Sequence, residues 1–264
     1  MPRMILKYPA CICGNRSYGR ILKVKQAQII RCKSCGLART FPVPNPNYAN
    51  YHCDFPESEE SPQIAKRYYS IVSSQVRYFK KQGKLLDVGC SVGWGLECAS
   101  QMGFESYGIE IDKQRAELAN KPGLNVFCGQ LEDAQHPDKE FDVIVANHVL
   151  EHILELNKFI TESKRILKDD GVLAIGVPNY KSLIVSWKRE RWSAWCVKYH
   201  IWHFEPKTLR NIFRKHSLSP KKIFKDSDYK KYQGFRKLTY LLIDVINQGD
   251  SLIVVFEKHR GSYL

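Results

Sequence analysis

The stretch Leu85-Leu86-Asp87-Val88-Gly89-Cys90-Ser91-Val92-Gly93-Trp94-Gly95 constrains the fold more than any other part of the chain. Four residues suited to a buried strand run into a glycine-rich turn, then into a helical stretch reaching Met102. Glycine in such a turn lets the backbone approach a ligand closely, and the helix that follows presents unpaired amides. Strands and helices then alternate: strands over 106–111, 125–128, 141–146 and 171–177, helices over 113–120 and 149–167. Strand, helix, strand at this spacing predicts an α/β fold whose parallel sheet carries helices on both faces. Residues 220–225 and 251–258 read as two final strands closing one edge.

Nine cysteines cannot all pair, and Met1-Pro2-Arg3-Met4-Ile5-Leu6-Lys7 has neither the apolar stretch nor the cleavage site of a secretory signal. A cytoplasmic protein is expected, in which clustered cysteines point to metal and not to disulfides. Four of them cluster as Cys11-Ile12-Cys13-Gly14 and Cys32-Lys33-Ser34-Cys35-Gly36, with 18 residues between Cys13 and Cys32. Glycine after each pair tolerates the turn that a zinc knuckle makes around its thiolates. Residues 20–31 read as a hairpin between the pairs. Cys11, Cys13, Cys32 and Cys35 are therefore the expected ligands of one structural zinc in a ribbon. The first pair is C-x-C where C-x-x-C is commoner, so His52 or Cys53 stands in reserve, and free thiols are the bland alternative.

A chain of 264 residues with 44% hydrophobic content can bury a real core, which excludes disorder. No apolar run reaches the ~18 residues that a membrane helix needs. Pro42, Pro44 and Pro46 mark a linker after the ribbon, and Ile64, Tyr68, Ile71, Val72, Val76 and Phe79 recur at helical spacing over 62–81. The expected organisation is a zinc-ribbon-like segment at 1–53, a linker and helix at 54–83, and the α/β domain at 84–264. Charge is uneven along it. Residues 1–53 hold nine Lys/Arg and no acid, 54–180 hold 14 basic against 20 acidic residues, and 181–264 hold 18 against 7. Two basic ends around an acidic middle suggest a surface for an anionic ligand, whether nucleic acid, a phosphorylated small molecule or a lipid head group.

Three readings of the glycine turn compete. A nicotinamide-dependent dehydrogenase would want G-x-G-x-x-G, which this turn does not offer. An α/β hydrolase would want G-x-S-x-G, and Gly89-Cys90-Ser91-Val92-Gly93 fits; yet no glycine-rich oxyanion loop lies upstream, and Asp87 would be unexplained. The third reading takes in further motifs: Tyr107-Gly108-Ile109-Glu110-Ile111-Asp112, Gly129-Gln130-Leu131-Glu132, Phe141-Asp142-Val143-Ile144 through His148-Val149-Leu150-Glu151-His152, and Leu167-Lys168-Asp169-Asp170-Gly171. With the turn, this ordered set resembles class I S-adenosylmethionine-dependent methyltransferases over roughly residues 62–258. It departs at Ser91, where the family most often has glycine, and at Gln130, where aspartate is usual.

The resemblance implies a Rossmann-like, mostly parallel sheet with an antiparallel last strand. It also implies roles: Asp87 and the turn Gly89, Cys90, Ser91, Gly93 and Trp94 around the methionyl end of S-adenosylmethionine, Glu110 and Ile111 at the ribose, Gln130 and Leu131 at the adenine. Asn147 and His148 would face the sulfonium. The zinc-binding N-terminus, together with the aromatic and histidine-rich insert at 180–206, resembles bacterial methyltransferases of sugars and surface polysaccharides. Trp192, Trp195, Tyr199 and Trp202 offer flat faces for pyranose rings, with ordinary core packing as the alternative. A sugar hydroxyl is a weak acid and needs a base near it. His203 or His200 is expected to fill that role ahead of His148, while Glu151 and His152 are expected to cap or pack a helix. The expected partner is a small-molecule or glycan acceptor, anionic in character. An RNA methyltransferase and a non-catalytic S-adenosylmethionine-binding scaffold are the competing readings.

Overall fold

A strand covered on both faces must be apolar at successive positions, and the central segments of this chain meet that demand. The computed structural model describes residues 8–45, 76–120, 123–226, 234–245 and 248–259. Near the N-terminus, β1 (Tyr18–Val24), β2 (Ala27–Cys32) and β3 (Ala38–Phe41) form an antiparallel meander. Next come β4 (Gly83–Val88), α1 (Trp94–Gln101), β5 (Phe104–Glu110), α2 (Lys113–Ala119), β6 (Asn125–Cys128) and β7 (Phe141–Asn147). They are followed by α3 (Leu156–Ile166), β8 (Leu167–Pro178), α4 (Leu183–Lys188), β9 (Trp202–His203) and α5 (Pro206–Lys215). The last elements are β10 (Leu218–Asp226), α6 (Gly234–Val245) and β11 (Ser251–Lys258).

The main sheet has the order β10-β11-β8-β7-β4-β5-β6. Its β4 to β8 strands run parallel, while β11 lies antiparallel to β8 and β10 antiparallel to β11. This is the Rossmann-like arrangement expected. Leu86, Ile144 and Ile175 bury one face with Phe159 and Ile160 of α3 and Leu209 and Phe213 of α5. Leu85, Val143, Val145, Ala174 and Ile253 bury the other with Ala99 of α1. Each such aliphatic side chain contributes about 1.5–3 kcal/mol when fully buried, so the positions alternating between the two buried faces fix the register. That register aligns the carboxyl ends: Val88 pairs with Ile109 on one side and Ala146 on the other. The glycine turn, Glu110 and Asn147 therefore emerge along one edge. Among the described residues, no helix is long and apolar enough to cross a membrane.

Two expectations need correction. The helix expected over 149–167 is broken into a 3-10 turn, Leu150–His152, and α3. The insert takes the carbonyls that a continuous helix would use: Ile201 N donates to Glu151 O at 2.7 Å, and Trp202 Nε1 donates to Ile153 O at 2.7 Å. The aromatic insert, in turn, is core. Trp192, Trp195, Tyr199 and Trp202 are all buried, and the indoles find partners inside, Trp192 on Asp250 and Trp195 on Arg189 O, both at 2.8 Å. They cannot offer sugar-stacking faces.

The ribbon is tied to that insert. β9 adds a fourth strand to the meander, with Ala38 opposite His203 and Arg39 opposite Trp202. The Arg39 guanidinium lies 4.7 Å over the Trp202 ring, a cation–π contact that reinforces the join. The helix expected over 62–81 falls mostly outside the described residues, as do His52 and Cys53.

Candidate active site and cysteine cluster

The edge where β4, β5 and β7 end holds a set of strained or close-packed backbone positions. Gly89 has φ 75°, and a Cβ there would lie 2.5 Å from Val149 Cγ2, so only glycine fits. Ser91 takes φ 51° in place of the usual glycine, and its amide donates to Glu110 Oε2 at 2.9 Å. The other Glu110 oxygen accepts from Asp112 N at 2.9 Å. Glu110 thus fastens the turn after β4 to the turn after β5. Gly89 N and Cys90 N both donate to Ile109 O, at 2.7 and 3.1 Å, which ties the same two turns a second time. Asp112 caps α2 by accepting from Gln114 N and Arg115 N.

Two carboxylates are buried here. Burial, then the neighbouring charge of Glu110, pushes Asp87 up to about 7. Burial also raises Glu110, against the hydrogen bonds from Asp112 and Ser91 that favour its charged form. Burial of both groups, and for Asp87 the charge of Glu110, thus disfavours their ionised forms.

The other expected donor-site residues separate by depth. The Cys90 side chain is buried beneath the turn against Leu96 and Ala119, and burial drives its thiol up, so only its backbone faces the edge. Trp94 is half-buried and Ile111 exposed. Gly129 N donates to the Glu110 backbone O at 2.9 Å, which holds the chain leading into Gln130 against the end of β5, while Leu131 is buried. The Asn147 amide fills the space where a Cβ on Gly176 would stand, 1.9 Å from that position, and His148 N donates to Gly176 O at 2.8 Å.

The three histidines weighed as bases are placed very differently. His200 and His203 are buried; His200 Nδ1 donates to Ala194 O at 2.8 Å. Thr40 Oγ1 donates to His200 O at 2.7 Å, so at 2.9 Å it accepts from His203 Nε2. Burial first holds both well down, His200 at about 4 and His203 at about 3. His148, by contrast, is 41% exposed at the end of β7, with Nδ1 3.1 Å from Glu151 Oε1. Burial pushes the Glu151 carboxyl up, but the His148 hydrogen bond and the surrounding imidazoles outweigh it and hold it at about 2. His152 completes the group, its ring 4.8 Å from that of His200. Glu151 therefore supports an imidazole instead of a helix, and the His-x-x-Glu spacing directly after a strand was the signal for it.

At the ribbon, the four thiols converge within 4.8 Å of one another. Cys11 Sγ lies 3.5 Å from Cys35 Sγ, and Cys13 Sγ lies 3.7 Å from Cys32 Sγ. A tetrahedron with metal–sulfur bonds of about 2.3 Å has edges of about 3.8 Å, so these spacings suit a metal and are far too long for disulfides. The C-x-C pair spans the site with both of its sulfurs.

The chain is similar to known proteins in sequence and in fold. The methyltransferase-domain family matches residues 57–219, more than half of the chain. The ubiquinone biosynthesis O-methyltransferase of Pelagibacter ubique is 31% identical over 157 residues, which are 54% of this chain and 64% of that protein. An uncharacterized protein of Methanocaldococcus jannaschii is 32% identical over 117 residues, 44% of this chain and 55% of its own length. The chain thus spans under two thirds of the length of these relatives. An Archaeoglobus fulgidus SAM-dependent methyltransferase superposes with a TM-score of 0.60 at 20% identity, covering 81% of this chain and all of that one, a likeness of fold. The family match spans more than half of the chain, and the sheet has the Rossmann-like methyltransferase fold, so the chain belongs to the methyltransferase-domain family.

Proposed function

We propose that the protein methylates a hydroxyl of a small anionic acceptor, a sugar or glycan intermediate, with His148 as general base. The carrying observation is the His148–Glu151 pair: an accessible imidazole oriented by a buried carboxylate. The residues present suit the donor. Asp87 would take its ammonium end, the Gly89 to Gly93 turn would cradle the methionyl chain, Glu110 would hold the ribose hydroxyls, and Gln130 with Leu131 would border the adenine. When bound, S-adenosylmethionine supplies an activated methyl group whose carbon–sulfur bond breaks as the new bond forms, the electron pair returning to sulfur. Glu151 accepts from His148 Nδ1, which leaves Nε2 as the lone pair able to take the acceptor's proton. Orientation supplies most of the rate, and the base about 10²–10⁴-fold.

Transfer to oxygen is supported by the O-methyltransferase relative, and the sugar class by the resemblance of ribbon and insert to polysaccharide-pathway enzymes. Cys11, Cys13, Cys32 and Cys35 would hold one structural zinc, four-coordinate and so closed to substrate. Labelled donor offered to nucleotide-sugars, to lipid-linked glycan intermediates and to total RNA tests the reading. Labelling of either glycan class supports it. Labelling of RNA alone would make the protein an RNA methyltransferase, and donor binding with no transfer to any of them would favour a scaffold.

A further inference from the structure

A groove of about 420 Å³ opens between the second cysteine knuckle and the first turn of α5. Arg20, Arg31, Lys33 and Lys207 line it, with Ser34 and Asn211 as neutral hydrogen-bonding groups. Glu205 is the one carboxylate in its wall, and it is already engaged: its Oε1 accepts from Arg31 Nη2 at 2.6 Å and from Thr208 Oγ1 at 3.1 Å. Arg31 Nε also donates to Gly36 O at 3.0 Å, so the guanidinium is fixed at two points. Gly36 takes φ 79°, and a Cβ there would stand 3.2 Å from Arg31 Nη2, so the knuckle leaves room for that side chain. Arg20, Lys33 and Lys207 have no carboxylate partner among the described residues. Folding has therefore drawn cations from both basic ends of the chain to one wall. Four positive charges stand against Glu205, and with a metal-bound four-thiolate cluster at about −2 behind the same wall the concave site stays net positive, which favours an anion.

We propose that this groove binds a diphosphate ester, with Arg31 as the fixed fork and Arg20, Lys33 and Lys207 closing on the phosphoryl oxygens. A guanidinium held in place suits paired phosphate oxygens, and lysines add point charge. Lys207 and Thr208 are the second and third residues of α5, whose backbone N–H groups lack acceptors within the helix. The volume falls in the range of small-molecule sites, roughly 300–1,000 Å³, and suits one diphosphate and its attached group, not a nucleic-acid tract. The same diphosphate chemistry arrives on a nucleoside or on a polyprenyl lipid. This site is independent of the sugar reading of the acceptor. Its rival is that the cations only balance a metal-bound thiolate cluster, since Cys32 and Cys35 line the same groove.

The test is calorimetric titration of the metal-loaded full chain with inorganic pyrophosphate, uridine diphosphate and geranyl diphosphate, with S-adenosylhomocysteine as a control for the fold. One saturable site for pyrophosphate is expected. Lys33→Gln with Lys207→Gln should weaken it about tenfold or more while leaving S-adenosylhomocysteine affinity unchanged. Tighter binding of uridine diphosphate, or of geranyl diphosphate, supports the site and names the carrier. No saturable binding of any of the three overturns it, and so does binding that the double variant leaves unchanged. A short single-stranded RNA that binds more tightly than pyrophosphate, and loses as much affinity with Lys23→Gln and Lys25→Gln, at the β1–β2 turn outside the groove, as with the groove pair, would replace it with a diffuse nucleic-acid surface.

Discussion

His148 Nδ1 and Glu151 Oε1 stand 3.1 Å apart, the imidazole 41% exposed and the carboxylate 1% exposed. The pair sits where β7 runs into a 3-10 turn, so one partner is exposed at the carboxyl edge of the sheet while the other is locked beneath the insert. The carboxylate fixes the ring's tautomer, which is worth most where water is excluded. His148→Ala should lower turnover by at least ~10²-fold with donor affinity nearly intact. Glu151→Gln keeps the shape and removes the charge, and should cost about tenfold or more in kcat. Steady-state kinetics beside donor titrations check both. Near-normal turnover in His148→Ala would mean that positioning alone suffices.

Asp87 sits in tension between stability and binding. Its folded value of about 7 lies above the unfolded 3.8, so stability is lost as pH rises from 3.8 to 7 and stays lost above that. Asp87→Asn should therefore stabilise the ligand-free protein at pH 8 by about 1–3 kcal/mol, yet weaken donor binding about tenfold or more. Thermal melts with and without S-adenosylhomocysteine measure both. A variant no more stable at pH 8 would show that Asp87 is better solvated than its burial indicates.

The turns after β4 and β5 were legible in the sequence because their constraints are local. Gly89 must be glycine to clear Val149, and Glu110 reaches Ser91 and Asp112 across neighbouring turns. The four cysteines declared themselves by spacing. The roles of Glu151 and of the aromatic insert did not. Glu151 follows apolar residues at helical spacing, and only contacts from Ile201 and Trp202, some 50 residues on, stop the helix there. β9 is two residues long, too short for any period, and its pairing with β3 joins segments at opposite ends of the chain. For the same reason the sequence leaves Trp195 and Trp202 open between binding face and core, and packing against the ribbon makes them core.

The buried histidines predict an acid-sensitive fold. His200 at about 4 and His203 at about 3 stay neutral in the folded state while the unfolded chain protonates near 6.5. Stability should fall as pH drops from 6.5 towards those values, by about 1–2 kcal/mol per histidine at pH 5. His203→Gln can keep its donation to Thr40 and should flatten that fall by about one histidine's share. Urea unfolding at pH 6.5 and pH 5 compares the slopes, and equal slopes would contradict the assignment.

Metal removal should be felt beyond the ribbon. Because β3 pairs with β9, stripping the metal or replacing Cys13 with Ser should loosen the insert and change tryptophan fluorescence from Trp195 and Trp202. Affinity for S-adenosylhomocysteine should remain within about twofold, since the donor turn is fastened by Glu110 and Ile109 instead. Metal analysis should find close to one zinc per chain, and Cys13→Ser should lose it as fully as Cys32→Ser. Full zinc retained in Cys13→Ser would assign the fourth ligand elsewhere, to His52 or Cys53.

The most direct test of the account separates its two halves in one titration series: S-adenosylhomocysteine against the wild type, Glu110→Ala and His148→Ala. The account predicts one site per chain in the wild type. It predicts a loss of about 1–3 kcal/mol in Glu110→Ala, through the missing charged hydrogen bonds to ribose, and near-wild-type affinity in His148→Ala. Absence of binding to folded wild-type protein would contradict the donor site. Affinity undiminished in Glu110→Ala but abolished in His148→Ala would reverse the roles assigned to the two residues.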